Sequence, residues 1–526
     1  MADFSLPELS IDGFRDFFTA LHGHTPFRWQ TRLAEKACND DWSDFIKLPT
    51  SSGKTACIDI VVFALAYQAS RQKYAGELIT APRRIFFVVD RRVIVNEAFE
   101  RAAKICNRLE AVFKDSNQAD PAFPVAAWLQ SLTEHPKAPP LDCFELRGGI
   151  YRDDAWVRSM LQPTILTSTV DQIGSRLLFR GYGVSDRNLS IHAALTANDS
   201  LVILDEAHCS KPFSQTLEAI ARYRDANLKN DRTPRWSEHS VASPFGFTQM
   251  TATPDALADD KTVFELEPDD YIADPLLKQR HYCSKPVQLV ECNAKGAQQN
   301  AKLAKELVAQ AKLLASPAEE SGDKPCRRIA IVVNRVACAQ EAYRLLHKEF
   351  GDQVDLMIGR MRPFDRDVLT TELQKTFRSD PNRSENQDTS PRFVVATQCL
   401  EVGADFDFDG LVSQCASLDA LRQRYGRLNR LGLPSQSHSR GVIVMATGDV
   451  NPKDTDPIYG DALSDTWEWL LTQCSRHSPS DEPHDVAKAP AIDSEPPGQN
   501  ITGTVTTTFV DMGITAMDAL VAQARA

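Results

Sequence analysis

The residues best suited to chemistry fall in short stretches, and the first is "FIKLPTSSGKTA" at 45–56. It sets Gly53, Lys54 and Thr55 directly after an apolar run and ahead of a helix-like segment. Backbone N–H groups at a helix N-terminus attract phosphate, and Thr50, Ser51 and Ser52 are small enough to let one approach. Lys54 would reach the β and γ phosphates of a bound ATP, and the Thr55 hydroxyl would ligate Mg²⁺. The common form of this loop has a glycine where this chain has Leu48.

A cation beside a triphosphate calls for an acid on a second strand. "LVILDEAHCS" (201–210) supplies it, running four apolar residues into Asp205 and Glu206. Asp205 would hold Mg²⁺, directly or through its waters, and Glu206 would orient the attacking water or take its proton. His208 suits a contact that senses nucleotide state. Gln30, in "PFRWQ" (26–30), has an amide able to pair with adenine N6 and N7. In "QMTATPDA" (249–256), Thr251 and Thr253 are hydroxyls at a strand end, placed to relay hydrogen bonds from the nucleotide pocket.

A second set lies toward the C-terminus. "ASLDALRQRYGRLNRLG" (416–432) spaces Gln423, Arg427 and Arg430 by 4 and 3, which on a helix would line one face. Two guanidiniums there can neutralise charge developing on a transferred phosphoryl group. In "ATQCLEVGADFDFD" (396–409), Thr397 and Gln398 would touch a sugar–phosphate chain, Gly403 would allow close backbone approach, and Asp405 would accept from a ribose hydroxyl. The alternative for Glu401, Asp405, Asp407 and Asp409 is a plain acidic loop.

Such residues need strand ends gathered along one edge. Apolar runs alternate with helix-like segments twice, which implies parallel sheets. In residues 14–256 the expected strands are Asp44–Leu48, Ile85–Val89, Thr164–Thr167, Leu201–Leu204 and Phe247–Met250. In 286–450 they are Arg328–Val333, Val354–Ile358, Phe393–Ala396, Gly410–Gln414 and Gly441–Ala446. The expected fold is α/β: two tandem parallel-sheet domains, 1–270 and 271–450, with a partly disordered C-terminal extension, 451–526, that closes with a short strand in "TVTTTFVDMG" (504–513) and a short helix. "DALADDKTVFELEPDDYIADPLLKQRHY" (255–282) reads as an irregular acidic connector, and 378–392 as an exposed loop.

The chain has 526 residues, is 42% hydrophobic and carries a net charge of −12, which argues against a wholly basic nucleic-acid binder. The charge leaves room for a basic channel. No apolar stretch is long enough to span a membrane, and no signal peptide is evident. Twelve cysteines without a C-x-x-C pair point to a reducing cytoplasm and away from structural zinc.

The phosphate loop, the DEAH box, the TAT segment and the Q-R-x-G-R-x-x-R stretch, in this order, resemble the superfamily 2 helicases. The resemblance covers residues 20–450 and implies two RecA-like domains with ATP between them. "FFVVDRRVIVNEAFERA" (86–102), "ILTSTVDQIGSRLLFRGYG" (165–183), "LMIGRMRPFDRD" (356–367) and "DPIYGDALSDTWEWL" (456–470) are similar to the CRISPR-associated helicase–nuclease of type I interference. That implies 3′→5′ movement on single-stranded DNA, loading by an RNA-guided surveillance complex, and a DNA path near Arg91, Arg92, Thr169, Asp171, Gln172 and Arg176. Arginines after a strand would bind phosphates without regard to sequence. "LRGG" (146–149) is either a phosphate-approaching turn or a simple one.

The family's HD nuclease has no evident counterpart. His484-Asp485 is the one His-Asp pair, and it sits in a Pro/Ser/acid-rich tail. The expectation is a motor that does not cut, with its nuclease on a separate polypeptide or lost from a shortened chain. Two other readings share the ATP residues: another superfamily 2 motor (an RNA helicase or a duplex translocase), and a scaffold that binds without hydrolysis.

Overall fold

The computed structural model describes residues 6–49, 52–90, 92–148, 154–207, 210–224, 245–251, 261–316, 324–359, 361–380, 390–401, 405–449, 456–474 and 509–525. The chain forms two compact units, Met1–Lys278 and Gln279–Ala526, each with its own seven-stranded sheet. The first unit runs past the expected limit at residue 270.

In the first unit the strands are β1 (Phe45–Lys47), β2 (Arg84–Val89), β3 (Asp142–Leu146), β4 (Thr164–Thr169), β5 (Ser200–Asp205), β6 (Phe245–Thr251) and β7 (Val263–Glu265). Their order in the sheet is β3-β4-β2-β5-β6-β1-β7, and every neighbouring pair is parallel. The second unit holds β8 (Pro286–Cys292), β9 (Arg328–Val332), β10 (Val354–Met357), β11 (Arg392–Ala396), β12 (Gly410–Gln414), β13 (Arg440–Ala446) and β14 (Phe509–Asp511). Their order is β10-β11-β9-β12-β13-β8-β14, parallel except for β14 against β8.

The ten expected strands are all present. Continuous apolar runs become central strands covered by helices on both faces, as β2 and β9 show by being buried at every position. Register then brings the chemistry to one edge. Lys47 lies opposite Thr251, Asp205 opposite Met250, and Val89 opposite Thr169. The loops after β1, β2, β4, β5 and β6 therefore leave from the same carboxyl edge, where open parallel sheets bind ligands.

Two expectations are corrected. The described part of the acidic connector, 261–282, is regular: it forms β7 and the helices Pro268–Ala273 and Pro275–Tyr282. Its acids serve as partners. Asp270, fully buried, accepts from Arg28 at 2.9 Å and Arg32 at 2.7 Å, and Glu267 meets the same pair at 3.2 and 2.8 Å. These bonds fix the helix Arg28–Cys38, which carries Gln30.

The described residues after 450 pack within the second unit and include the expected closing strand and helix. The helix Ala462–Cys474 buries Leu463, Trp467 and Leu470, and β14 extends the sheet. The tail 475–500, with its expected disorder and its His484-Asp485 pair, lies outside the described residues. The second correction is that the helix Leu418–Tyr425 ends at Gly426, so Arg427 and Arg430 do not continue the helical face of Gln423. The chain turns because Phe408 claims its backbone: Phe408 N–H donates to Arg427 O at 2.9 Å, and Asn429 N–H donates to Phe408 O at 2.8 Å. Asn429 adopts φ +39°, which ends helical propagation.

The Asp270 hub gives a measurable expectation. Asp270→Ala should remove about 2 kcal/mol from the first unit, because two guanidiniums lose their buried acceptor together. Urea unfolding followed by tryptophan fluorescence checks it; an unchanged midpoint would mean Glu267 suffices.

Candidate functional site

The phosphate loop is built from three elements. After β1 the chain turns through Gly53 at φ +83° into a short 3₁₀ turn, Lys54–Ala56, and then the helix Cys57–Ala75. Glycine suits that left-handed position, and a Cβ there would stand 3.1 Å from Gln30 Nε2. The loop is braced from behind. Trp29 Nε1 donates to Ser52 O at 3.2 Å, and the Ser52 hydroxyl donates to Pro49 O at 2.8 Å. Thr50 and Ser51 lie outside the described residues.

Gln30 is buried, and its amide is engaged at both ends. Its Oε1 accepts from Phe27 N–H at 2.9 Å, and its Nε2 donates to Gly53 O at 3.4 Å. In this arrangement the side chain is a strut for the phosphate loop. Reading an adenine would require it to exchange one of those bonds.

Lys54 turns back across the sheet edge to the acids of β5. Its Nζ is 3.2 Å from Glu206 Oε1 and 3.9 Å from Asp205 Oδ1. All three side chains are largely shielded from water, at 10%, 15% and 18% exposure for Lys54, Asp205 and Glu206. Burial pushes the Asp205 carboxyl up to about 6; Lys54 pulls it down, and the neighbouring Glu206 pushes it further up. Glu206 N–H donates to Asp205 Oδ1 at 3.1 Å, and Glu206 adopts φ +49°. A left-handed residue other than glycine costs about 1–2 kcal/mol, so the turn that splits the two carboxylates is strained.

This donor set fits Mg²⁺. One carboxylate resisting its charge, a second beside it and a threonine at the helix start make a hard, oxygen-rich corner. Among the described residues no group of three or more His, Cys, Asp or Glu could hold a metal. Mg²⁺ is commonly held by one or two carboxylates plus substrate phosphates, without a full protein cage. Thr251 ends β6 one strand away and is buried. His208 and Thr253 lie outside the described residues.

The expected DNA-side residues of this unit divide. Arg91 is outside the described residues, and of Arg92 only its place at the start of the helix Arg92–Lys114 is described. Thr169 closes β4, and Asp171 is exposed on the helix Val170–Leu177. Gln172 and Arg176 are buried, and Arg176 donates to both Gln172 O and Gln172 Oε1 at 2.8 Å. As placed, these two shape the helix and do not present themselves to a strand.

In the second unit, Arg427 is buried with its guanidinium 3.3 Å from Glu401 O. Arg430 Nε pairs with Asp405 at 3.2 Å, and Asp405 also accepts from the Ser379 hydroxyl at 2.8 Å. Asp405 thus holds an arginine in this state. Gln423 sits half-buried on the helix Leu418–Tyr425. Thr397 is buried, and Gln398 Nε2 donates to Asn334 O at 3.0 Å. Gly403 is outside the described residues.

The plain acidic-loop alternative fails for three of its four members. Glu401, Asp407 and Asp409 are buried and bonded. Asp407 accepts from Arg430 N–H at 2.7 Å and Gln436 Nε2 at 3.1 Å, and Asp409 Oδ1 accepts from Arg328 N–H at 2.7 Å. Glu401 belongs to a residue that sequence reasoning passed over. Arg424, fully buried, donates to Glu401 Oε1 at 2.8 Å, Ser413 Oγ at 2.9 Å, Asn334 Oδ1 at 2.9 Å and the Tyr459 hydroxyl at 3.0 Å. It joins the segments after β9, β11 and β12 to residue 459. Its position inside Q-R-Y-G-R was the available signal.

Residues 326–432 match the family model described as "CRISPR-associated nuclease/helicase Cas3, C-terminal". A Cas3 nuclease/helicase of Streptococcus thermophilus is 32% identical over 152 residues, 27% of this chain and 15% of that protein. The Escherichia coli endonuclease/helicase Cas3 is 34% identical over 104 residues, 20% of this chain and 11% of that protein. The solved structure of T. fusca Cas3 with ATP has a TM-score of 0.51 at 16% identity, over 90% of this chain and 51% of that one. Over residues 326–432 the chain is similar to the Cas3 helicases, and the likeness to the T. fusca structure shows a shared fold. Its fold is accordingly a pair of RecA-like units, and it spans about half the length of the T. fusca chain it matches. The family match falls on the segment that holds Thr397, Gln398, Arg424, Arg427 and Arg430.

The shifted Asp205 carboxyl sets a pH expectation. Its folded pKa, about 6, exceeds the reference 3.8, so the folded unit holds a proton that the unfolded chain has released. Stability is then lost as pH rises from about 4 to about 6, and the loss persists above. Asp205→Asn should raise the unfolding free energy relative to wild type by about 3 kcal/mol at pH 7 and by little at pH 4. Melting curves at the two pH values check the difference; equal gains at both would remove the assignment.

Proposed function

We propose that the chain is an ATP-driven motor that moves 3′→5′ along single-stranded DNA in type I CRISPR interference. The observation that carries the ATP-driven part is the Lys54–Glu206–Asp205 cluster at the carboxyl edge of a parallel sheet, directly after a glycine-turned loop. Three groups of that kind are rarely shielded from water together without a ligand to balance them. The match of residues 326–432 to the Cas3 family model supports the CRISPR setting, and the polarity comes from the resemblance alone.

In this reading a triphosphate draws Lys54 off Glu206, since phosphate oxygens are the more highly charged acceptor. Glu206 is then free to orient water and take its proton. Thr55 and Asp205 would hold Mg²⁺, which would neutralise charge on the phosphates when bound. Arg427 and Arg430 stabilise the charge that develops on the transferred phosphoryl group, an effect worth about 10³–10⁵ in rate. Thr397, Gln398, Thr169 and the Arg91-Arg92 pair are the proposed DNA side. The partner is an RNA-guided surveillance complex that exposes the displaced strand.

Hydrolysis measured with single-stranded DNA, duplex DNA or RNA separates the motor classes. Stimulation by single-stranded DNA is expected, and stimulation by RNA alone would overturn the DNA reading. Lys54→Ala should abolish turnover, and Glu206→Gln should bind ATP but lose at least about 10²-fold in rate. Strand displacement should occur on 3′-tailed and not on 5′-tailed duplexes; the reverse preference would overturn the polarity.

A further inference from the structure

We infer that Lys285 is a positioning residue for the loop that carries Arg427 and Arg430, acting through the carbonyl of Tyr425. The inference rests on the proposed role of those arginines in hydrolysis.

The second unit begins with a segment, Gln279–Lys285, that packs along this loop. Gln279 Nε2 donates to Leu431 O at 3.3 Å, and Asn429 Nδ2 lies 3.3 Å from Cys283 Sγ. Gly432, at φ +65°, lets the two segments touch: a Cβ there would stand 2.7 Å from Gln279 O and 3.1 Å from Cys283 Cβ. Lys285 completes the contact, its Nζ donating to Tyr425 O at 2.9 Å.

That carbonyl belongs to the last residue of the helix Leu418–Tyr425, where the helix dipole concentrates negative charge. It already accepts from Leu428 N–H at 3.1 Å. Satisfying the carbonyl therefore does not require a lysine. What Lys285 adds is a positive charge, fixed where the chain leaves the helix two residues before Arg427.

The lysine is itself held on both sides. Its N–H donates to Asp511 Oδ1 at 2.8 Å, and its carbonyl accepts from Met512 N–H at 3.0 Å. The ammonium faces Cys283, Asp407, Arg430 and Asp511. Asp407 also holds the backbone N–H of Arg430, so one carboxylate faces the lysine and anchors the arginine. Burial works against the charge and brings Lys285 down to about 8. A buried ammonium is destabilising unless something else requires it, and that requirement is the arginine loop.

The test compares wild type, Lys285→Met and Lys285→Arg in the full chain, using ATP hydrolysis with single-stranded DNA from pH 6.5 to 9.5. At pH 7, Lys285→Met should lower kcat about tenfold and leave KM for ATP within about twofold, as expected for a displaced transition-state group. Wild-type kcat should fall as pH rises through about 8, where the ammonium loses its proton. That fall should be absent in Lys285→Met. It should also be absent in Lys285→Arg, which stays charged and should keep the neutral-pH rate better than the Met variant. An unchanged kcat in Lys285→Met, or an alkaline fall that persists in it, would overturn the inference.

Hydrogen exchange of the 426–432 amides gives a reading independent of turnover. It should quicken in Lys285→Met while the 52–60 amides stay as in wild type; equal exchange in both proteins would overturn the inference. If wild type hydrolyses no ATP with any polymer, the motor reading fails, and the exchange result alone decides whether Lys285 positions the loop.

Discussion

An ammonium and two carboxylates held within 4 Å at a sheet edge are the constraint from which the first unit follows. They come from loops separated by most of the unit's sequence, and only a sheet of parallel strands in register brings them together. Lys54 extends from the turn after β1, Asp205 ends β5, and β6 lies between. The strand between them sets how far the lysine must reach, and its bulk excludes water from beneath. Each of the three groups would be costly alone, and together they partly cancel. The remaining imbalance is visible in Asp205, which resists ionising, and in Glu206, which is held in a left-handed turn.

The second unit meets the same problem with opposite signs. Its conspicuous charges are guanidiniums, and acids answer them: the buried Glu401 answers Arg424, the buried Asp407 and Asp409 answer Arg328, and the half-buried Asp405 answers Arg430. A grid of this kind resists partial loss, because removing one acid leaves a buried cation. It fixes the segments after β9, β11 and β12 relative to one another without using their apolar residues. The groups with room to change partner are the less buried Arg430 and Asp405, at 21% and 35% exposure.

The strands were legible wherever both faces of the sheet are covered, because such strands are apolar at every residue. Those that escaped reading alternate or are very short: β8 buries every second position over part of its length, β3 is half-buried at an edge, and β7 is three residues long. The phosphate loop and the DEAH acids could be read because their chemistry is local. The single helical face expected for Gln423, Arg427 and Arg430 was not legible, since the helix stops at Gly426 and the residues after it bond to the backbone of Phe408. Composition misled in the connector, where acids that looked solvated are bound to Arg28 and Arg32. Lys285 stood before a proline as an ordinary lysine, and only the register of β8 against β14 reveals its surroundings.

Placement of the ionisable groups separates stability from use. A chain selected for stability alone would fill the sites of Asp205 and Lys285 with neutral side chains, because burial opposes the charge of both. Both groups lie where a loop proposed to meet the triphosphate leaves its scaffold, Asp205 at the end of β5 and Lys285 behind the turn to Arg427. Arg84 shows the contrast. It too is opposed by burial, but it donates to three backbone carbonyls beneath the sheet, of Met160, Leu195 and Asn198, away from the carboxyl edge. Its charge is absorbed by the fold, whereas Lys285 shares a carbonyl that already has a donor. A buried charge that the fold does not need for hydrogen bonding is the better marker of function, and that criterion selects Asp205 and Lys285 over Arg84.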